Sequence, residues 1–178
     1  MVTTLGGLYL QARQRLLETE DAEYAGMAAR ELVSTLSGRT QEQFLVDRDC
    51  EAEEALCLRV SQGVDRLLSG EPLPYVLGEW TFYGLPMVVT PDVLIPRDDT
   101  CAVAELAIHR GLFLDKDPRI LDLCCGSGCI GLAVASRLRD ARVTLADLSG
   151  PALAVARKNI QRNHMGGRVS CVQLDATE

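Results

Sequence analysis

The residues best suited to chemistry lie in the glycine-rich segment 122–131, which reads DLCCGSGCIG. Gly126 and Gly128 allow the backbone to turn sharply and to bring its N–H groups close to a ligand. A helix is predicted to begin just after them, and the positive end of its dipole favours a carboxylate or a phosphate. The segment is therefore predicted to bind a ligand that carries an anionic group.

Two aspartates follow this segment at informative distances. Asp147 lies 19 residues after Gly128, close to the offset of about 20 residues at which a carboxylate accepts the hydroxyl groups of a ribose. Asp175 is predicted at the end of the next strand, where it would accept from an adenine amino group while the backbone N–H of Ala176 donates to the ring. Contacts at three successive strand ends indicate a nucleoside cofactor more specifically than glycines alone do.

Two cofactors compete for this pattern. Residues 126–131 fit the G-x-G-x-x-G pattern of dinucleotide sites, which predicts NAD. Asp122, however, lies within the predicted strand, whereas dinucleotide sites usually place the first glycine directly after an apolar strand. A strand that ends D-L-x-x-G-S-G suits S-adenosylmethionine, whose small zwitterionic methionine end would lie in the loop. We therefore predict S-adenosyl-L-methionine and keep the NAD-dependent dehydrogenase as the alternative.

Cys124 and Cys125 also lie in this segment, and a catalytic thiol is one interpretation of them. The other, which we favour, is that small side chains accompany a loop that contacts its ligand through the backbone. The seven cysteines form no C-x-x-C pair, and only two histidines are available to join them. We therefore predict free thiols in a reducing compartment and no metal site.

The elements that position these residues alternate between strands and helices. Strands are predicted over 119–123, 142–146 and 168–174, and helices over 130–138 and 151–163. Repeated strand–helix units imply a parallel sheet with right-handed crossovers. The predicted fold class is α/β, the first half of a doubly wound, Rossmann-like sheet.

The region before the sheet has a different pattern. Residues 75–90 are rich in β-branched and aromatic residues and are interrupted by Gly84 and Pro86, which predicts a hairpin. Prolines then favour an extended linker. A helix capped by Asp98 or Asp99 is predicted to follow and to end near Gly111.

Residues 1–70 contain apolar residues at helical spacing and predict a bundle of four short helices. Thr40 and Gln43 form a capping-box pattern, and Asp49 is predicted to cap the last helix. This segment carries 7 basic and 12 acidic side chains, a net charge of −5 out of −7 for the whole chain. The acidic surface is either simply solvated or a docking face for a basic partner.

Composition narrows the classes of protein. The chain has 178 residues, of which 47% are hydrophobic and 24% charged, and this balance argues against disorder. No apolar run approaches the length of about 18–20 residues that a membrane span needs. Nucleic acid is not expected as the main partner because a basic footprint is lacking. A signal peptide with a basic start is also lacking, so we predict a cytoplasmic protein.

Four segments, taken in order, resemble the release-factor glutamine N5-methyltransferases: EPLPYVLGEWTFYG, VLIPRDDT, ILDLCCGSGCIGLAVA and DLSGPALAVARKN. The resemblance runs essentially from end to end. It implies a class I methyltransferase that moves a methyl group from S-adenosylmethionine to a glutamine side-chain amide. That glutamine belongs to the GGQ motif of a class I peptide chain release factor.

The resemblance also implies roles for individual residues. The loop of Cys124, Cys125, Gly126, Ser127 and Gly128 would hold the methionine end of the cofactor. By the same resemblance, Asp147 would take the ribose, and Asp175 with Ala176 the adenine.

Residues 94–100 fall on the family's I-P-R-P-E-T-E segment near the substrate, which implies substrate contacts for Leu94, Arg97, Asp99 and Thr100. Asp98 stands where the family has a second proline, Asp99 where it has glutamate, and Cys101 where it has another glutamate. The implied organisation is a helical domain over 1–72 that helps to grip the release factor, a hairpin and linker over 73–97, and the cofactor domain over 98–178.

The family's Asn-Pro-Pro-Tyr loop does not occur in these 178 residues, so no catalytic residue is assigned. We expect a fragment of a longer enzyme, inactive alone and binding cofactor weakly if at all, with an exposed sheet edge through which it could oligomerise. Three alternatives remain besides the dehydrogenase. These are methylation of another protein glutamine, methylation of a nucleic-acid amino group, and a non-catalytic adaptor whose helical half binds a basic partner.

Overall fold

The computed structural model describes residues 3–113 and 117–177. The chain divides into two compact units, Met1–Leu77 and Gly78–Glu178, so the division falls after the predicted end of the helical domain at residue 72. The described part of the first unit consists of helices α1 (Leu5–Leu16), α2 (Ala22–Leu36), α3 (Gln41–Val46), α4 (Glu54–Leu68) and α5 (Leu73–Leu77).

The first unit is held together by the apolar positions that the helical spacing predicts. Leu5, Leu16 and Leu32 are among its fully buried side chains, whereas Met27 on α2 is 40% exposed. The capping box of Thr40 and Gln43 is confirmed, with both reciprocal hydrogen bonds present. Most of the bundle could thus be predicted from periodicity alone.

The predicted cap of α4 is wrong. The helix begins at Glu54, and Glu53 occupies the N-cap position without a side-chain hydrogen bond. The delay has a tertiary cause, because the segment after Asp49 pairs with the start of the chain. The Leu5 N–H donates to the Cys50 carbonyl at 2.9 Å, and the Ala52 N–H donates to the Thr3 carbonyl at 2.8 Å.

The prediction of a hairpin from residue 75 is also wrong at its start, since Leu73–Leu77 is a short helix. Arg66 on α4 explains it by donating to the carbonyls of Tyr75 and Val76, each at 3.1 Å. The same guanidinium is paired with Glu71, with Nε 2.7 Å from Oε2. These bonds satisfy carbonyl groups that a five-residue helix leaves without intrahelical donors.

In the second unit the hairpin consists of β1 (Glu79–Phe82) and β2 (Leu85–Val88), paired antiparallel. Its turn residues Tyr83 and Gly84 both have positive φ, 53° and 76°, as a two-residue turn of the I′ type requires. Helix α6 (Asp99–Gly111) follows and ends where predicted. Asp98 occupies its N-cap position but makes no capping hydrogen bond, so that part of the prediction is wrong.

The predicted parallel sheet is confirmed. Strands β3 (Arg119–Leu123), β4 (Arg142–Asp147) and β5 (Val169–Gln173) are hydrogen-bonded in the order β3-β4-β5. They are connected by α7 (Cys129–Arg137) and α8 (Gly150–Arg162). The chain therefore has the predicted α/β architecture with its strand ends aligned at one edge.

The two faces of this sheet differ in burial. Val143 and Leu145 point toward the helices and are completely or almost completely buried, whereas Leu121 and Leu123 on the opposite face are 53% and 48% exposed. In the described residues β3 pairs with β4 alone, so the predicted sheet edge is present. Its tendency to pair with another chain stays a prediction.

Among the described residues, no helix has the length and apolar character needed to cross a membrane.

Candidate functional site

The glycine loop, residues 124–128, connects β3 to α7 and is anchored to the end of β4. The Cys125 N–H donates to the Ala146 carbonyl at 3.0 Å, and the Gly128 N–H donates back to the Cys125 carbonyl at 2.8 Å. Gly126 and Gly128 have φ values of 52° and 79°, a conformation that glycine adopts without steric cost. The loop is a defined turn with its backbone at the carboxyl end of the sheet.

The glycines of this region serve two different purposes. A Cβ atom on Gly126 would meet no heavy atom within 4 Å among the described residues, so this position is open to a ligand. A Cβ atom on Gly131 would lie 2.3 Å from Leu145 Cδ2 and 3.0 Å from Asp122 Oδ2. Gly131 is therefore required for close packing of α7 on the sheet, and Gly126 for access to the loop.

Asp147 lies at the end of β4 and holds the loop directly. Its Oδ2 accepts from the Gly126 N–H at 2.8 Å, and its Oδ1 accepts from the Ser149 N–H at 2.9 Å. Each carboxylate oxygen can accept more than one hydrogen bond, so both retain capacity for a ligand hydroxyl. The side chain is half-buried, which leaves the predicted ribose contact geometrically open.

Asp122 has a role that the sequence reasoning missed. Its Oδ2 accepts from the N–H of Gly131 at 2.8 Å, and Gly131 belongs to the first turn of α7, whose N-cap Gly128 has no side chain to cap it. A carboxylate at this place accepts a hydrogen bond from an N–H that has no partner within the helix. Its negative charge also interacts favourably with the positive end of the helix dipole. Burial raises the pKa of Asp122, the Gly131 hydrogen bond opposes that rise, and the charge of Asp147 adds to it.

The cysteines beside the loop lack the environment of a nucleophile. Burial, followed by the charges of Asp122 and Asp147, raises the pKa of Cys125 to about 12. Burial also raises the pKa of Cys129. Both side chains are therefore neutral thiols near pH 7, and a thiolate is the reactive form. The interpretation of Cys125 as a catalytic thiol gains no support.

Cys124 is exposed and has a φ of 56°, where a side chain is strained and glycine is not. Replacing it with glycine is expected to raise the free energy of unfolding by about 0.5–1 kcal/mol, because relief of that strain exceeds the added freedom of the unfolded chain. Chemical denaturation measures the change. Cys124→Ala removes the thiol but keeps the strained backbone, so equal stabilisation by both variants would contradict this explanation.

Asp175 and Ala176 follow β5 and are both exposed. The Leu174 N–H donates to the Asp147 carbonyl at 3.3 Å, which places this segment beside the end of β4. Asp175 Oδ1 accepts from the Thr177 hydroxyl at 2.7 Å and from its N–H at 2.9 Å, and these bonds lower the pKa of Asp175. The glycine loop, Asp147 and Asp175 thus share the carboxyl edge of the sheet, where open α/β folds bind ligands. Their contacts with an adenosine remain a prediction.

The residues expected to contact the substrate lie around the start of α6. Leu94 is 75% exposed, and Arg97 and Asp99 are also exposed. The Thr100 N–H donates to the Arg97 carbonyl at 3.0 Å, which forms the entry turn of the helix. Within 3–113 and 117–177, no hydrogen bond links these four residues to the glycine loop, so their predicted role remains untested. Over the described part of the chain, no three His, Cys, Asp or Glu side chains form a cluster that could hold a metal ion.

Two family models match the chain. Residues 8–78 match the PrmC N-terminal domain, and residues 107–178 match the Methyltransferase small domain. The first match lies almost wholly within the helical unit, and the second includes the sheet, the glycine loop and both aspartates at its edge.

Curated relatives give the same result. The release factor glutamine methyltransferase of Bordetella pertussis is 42% identical over 149 residues, 84% of this chain and 54% of that protein. The release factor glutamine methyltransferase of Nitratidesulfovibrio vulgaris is 34% identical over 175 residues, 98% of this chain and 58% of that protein. Among solved structures, the human methyltransferase 10 domain containing protein is 18% identical, with a TM-score of 0.45 over 54% of this chain and 45% of its own.

The chain thus spans about half the length of the curated relatives it matches. The matched regions include both of its units, and the order of the two domains agrees with the order of the motifs in the sequence. The chain belongs to the family of release factor glutamine methyltransferases.

Proposed function

We propose that the protein transfers a methyl group from S-adenosyl-L-methionine to the side-chain amide nitrogen of the glutamine in the GGQ motif of a class I peptide chain release factor. The observation that carries the proposal is Asp147, which grips the glycine loop through Gly126 and keeps acceptor capacity for a ribose. Family membership supports the choice of substrate.

The described residues fit an adenosine-containing cofactor. Gly126 leaves open space above the loop, and the edge beside it carries Asp147 and Asp175 as acceptors for hydroxyl and amino groups. S-adenosylmethionine supplies an activated methyl group on a sulfonium. The work left to this chain is to bind and orient the donor, since methyl transfer depends mostly on positioning. None of its residues is assigned to activation of the glutamine amide.

Calorimetric titration of the complete gene product with S-adenosylhomocysteine tests the cofactor. Binding with a rise in melting temperature is expected, because a ligand that binds only the folded state stabilises it. NAD is expected to do neither. Stabilisation by NAD alone would support a dehydrogenase. Absence of binding heat and of a melting-temperature shift with both ligands would support a non-catalytic adaptor.

The substrate is tested by transfer of labelled methyl groups to a release factor with the complete gene product. Label is expected in the wild-type factor and not in a variant whose GGQ glutamine is replaced by alanine. Labelling of both proteins would instead favour another protein glutamine. Labelling of RNA in the same assay would favour a nucleic-acid amino group.

The helical unit is the proposed contact for the release factor, and its α1–α2 groove is a candidate surface. The groove has a volume of about 460 Å³ and is lined by Tyr9, Arg13, Ala22, Glu23, Gly26, Met27 and Arg30. The guanidinium groups of Arg13 and Arg30 form no hydrogen bond or ion pair with any described residue, whereas those of Arg15 and Arg66 are paired with carboxylates. Two unpaired guanidinium groups in an acidic unit suit carboxylates on a protein partner.

The double variant Arg13→Ala/Arg30→Ala is expected to raise KM for the release factor about 10-fold, which corresponds to ~1.4 kcal/mol of lost binding. Its kcat and its affinity for S-adenosylhomocysteine should stay unchanged. Steady-state kinetics with intact release factor measure the effect. Arg48→Ala serves as the control, because Arg48 also forms no ion pair with the described residues and lies outside the groove. An equal rise in KM for a short GGQ peptide would contradict docking at the groove.

A further inference from the structure

Asn159 on α8 is a buried polar side chain that neither the motifs nor the proposed function explain. It is 0% exposed, and the other buried polar side chains among the described residues are Ser34 and Ser127. A buried amide is costly unless its donors and acceptor are all satisfied. The partners of Asn159 therefore indicate what the residue is for.

Its partners belong to two separate elements. Asn159 Oδ1 accepts from the Val88 N–H at 2.6 Å, and its Nδ2 donates to the Val88 carbonyl at 3.0 Å. The same Nδ2 donates to the Ser127 carbonyl at 3.0 Å. The first two bonds imitate the paired bonds that a neighbouring strand would make with β2. The third holds the middle of the glycine loop.

The glycine loop is thus held from two sides. Asp147 binds the N–H of Gly126, and Asn159 binds the carbonyl of the next residue, Ser127. A carbonyl held in this way orients the peptide group between Ser127 and Gly128, so the loop's N–H groups are fixed in direction. Asparagine suits the task because one short side chain supplies both an acceptor and two donors.

Asn163, the C-cap residue of α8, lies one turn beyond Asn159 and provides a comparison at the same helix. Its Nδ2 donates to the Pro86 carbonyl on β2 and to the Asn159 carbonyl, each at 3.0 Å. It therefore ties α8 to the hairpin, as Asn159 does, but it makes no bond to the glycine loop among the described residues. A role in holding the hairpin alone would be shared by both asparagines.

We propose that Asn159 is a positioning residue that couples the β1–β2 hairpin to the glycine loop and keeps the loop in its cofactor-binding conformation. The effect on the cofactor rests on the proposed function. The coupling between hairpin and loop does not, because it follows from hydrogen bonds within the chain alone.

The test compares Asn159→Ala, Asn163→Ala and Ile160→Ala in the complete gene product. Ile160 is a buried apolar residue between the two asparagines, so its variant lowers stability without removing a polar bond. Hydrogen exchange at residues 126–131 without ligand, and titration with S-adenosylhomocysteine well below the melting temperature, are the two measurements.

Asn159→Ala is expected to speed exchange in the glycine loop and at Val88 at least 10-fold and to weaken S-adenosylhomocysteine binding about 10-fold, or ~1.4 kcal/mol. Asn163→Ala and Ile160→Ala should leave loop exchange and affinity within about 2-fold of the wild type. Unchanged loop exchange in the Asn159 variant would overturn the proposal. An equal change in either of the other two variants would also overturn it.

Two further results separate the claims. If the wild type binds no S-adenosylhomocysteine but Asn159→Ala still releases the loop, the proposed function fails and the coupling stands. If Asn159→Ala does not fold, Asn159→Ser replaces it, because serine keeps a donor and an acceptor in less volume. Wild-type loop exchange in a folded Asn159→Ser variant would refute the coupling.

Discussion

Replacing Gly131 with alanine is expected to lower the free energy of unfolding of the second unit by about 2–3 kcal/mol. The added methyl group would lie 2.3 Å from Leu145 Cδ2, 3.0 Å from Asp122 Oδ2 and 3.2 Å from Val143 Cγ1. Leu145 is fully buried, and its other methyl group lies against Gly128. Its side chain therefore has little room to turn away, and α7 must move off the sheet.

The higher helix propensity of alanine raises the free energy of unfolding, but by less than overpacking lowers it. Alanine is favoured over glycine within a helix by about 1 kcal/mol, which offsets part of the cost of overpacking. The displacement of α7 also weakens the Gly131–Asp122 hydrogen bond of 2.8 Å, and a buried carboxylate that loses a partner adds to the loss. The net effect remains strongly destabilising.

Thermal unfolding measures this difference, and a fall in Tm of about 10 °C is expected. Gly167→Ala is the matched control, because a Cβ atom there meets no heavy atom within 4 Å among the described residues and the backbone φ is not positive. It should melt within about 2 °C of the wild type. A similar small change for Gly131→Ala would show that α7 does not pack on the sheet as described.

Replacing Asp147 with asparagine is expected to weaken S-adenosylhomocysteine binding about 100-fold. The present carboxylate accepts from the N–H of Gly126 and from that of Ser149. An asparagine must turn its NH2 group toward one of these two N–H donors. The variant therefore loses either the hydrogen bond from Gly126 in the loop or the one from Ser149 at the start of α8. Hydrogen bonds to a charged acceptor contribute about 1.5–3 kcal/mol each, and the predicted ribose contact loses its negative charge as well.

Titration calorimetry below the melting temperature of each variant measures the affinity. Asp140→Asn makes the same change of net charge at an exposed position just before β4 and is expected to bind as the wild type does. A loss of affinity shared by both variants would indicate a general electrostatic effect. Wild-type affinity in Asp147→Asn would exclude the carboxylate from the cofactor site.

The features that could be predicted from the sequence depend on local patterns. The capping box of Thr40 and Gln43 needs only a hydroxyl and an amide three residues apart. The strand–helix alternation needs only the change in hydrophobic period, and the resulting parallel sheet follows from connection rules. The placement of Asp147 at a strand end follows in the same way.

The features that could not be predicted depend on residues far apart in the sequence. Leu73–Leu77 is helical because Arg66 on another helix binds its carbonyls. The role of Asn159 depends on Val88, 71 positions earlier in the chain. Asp122 is visible in the sequence as an acid within a predicted strand, but its bond to Gly131 depends on how α7 returns over the sheet. No local pattern contains this information.

The glycine loop has a consequence for how this protein can change over generations. The loop's contacts run through main-chain atoms of Cys125, Gly126 and Ser127, and these are the same whatever side chains the residues carry. Substitution at exposed Cys124 therefore alters stability but leaves those contacts in place. At Gly131 and Asn159, by contrast, almost no other residue type would keep the present contacts. Within the loop, mutational tolerance should therefore be greatest at Cys124. It should be least at Gly126 and Gly128, whose φ values are positive, and at the supporting residues Gly131 and Asn159.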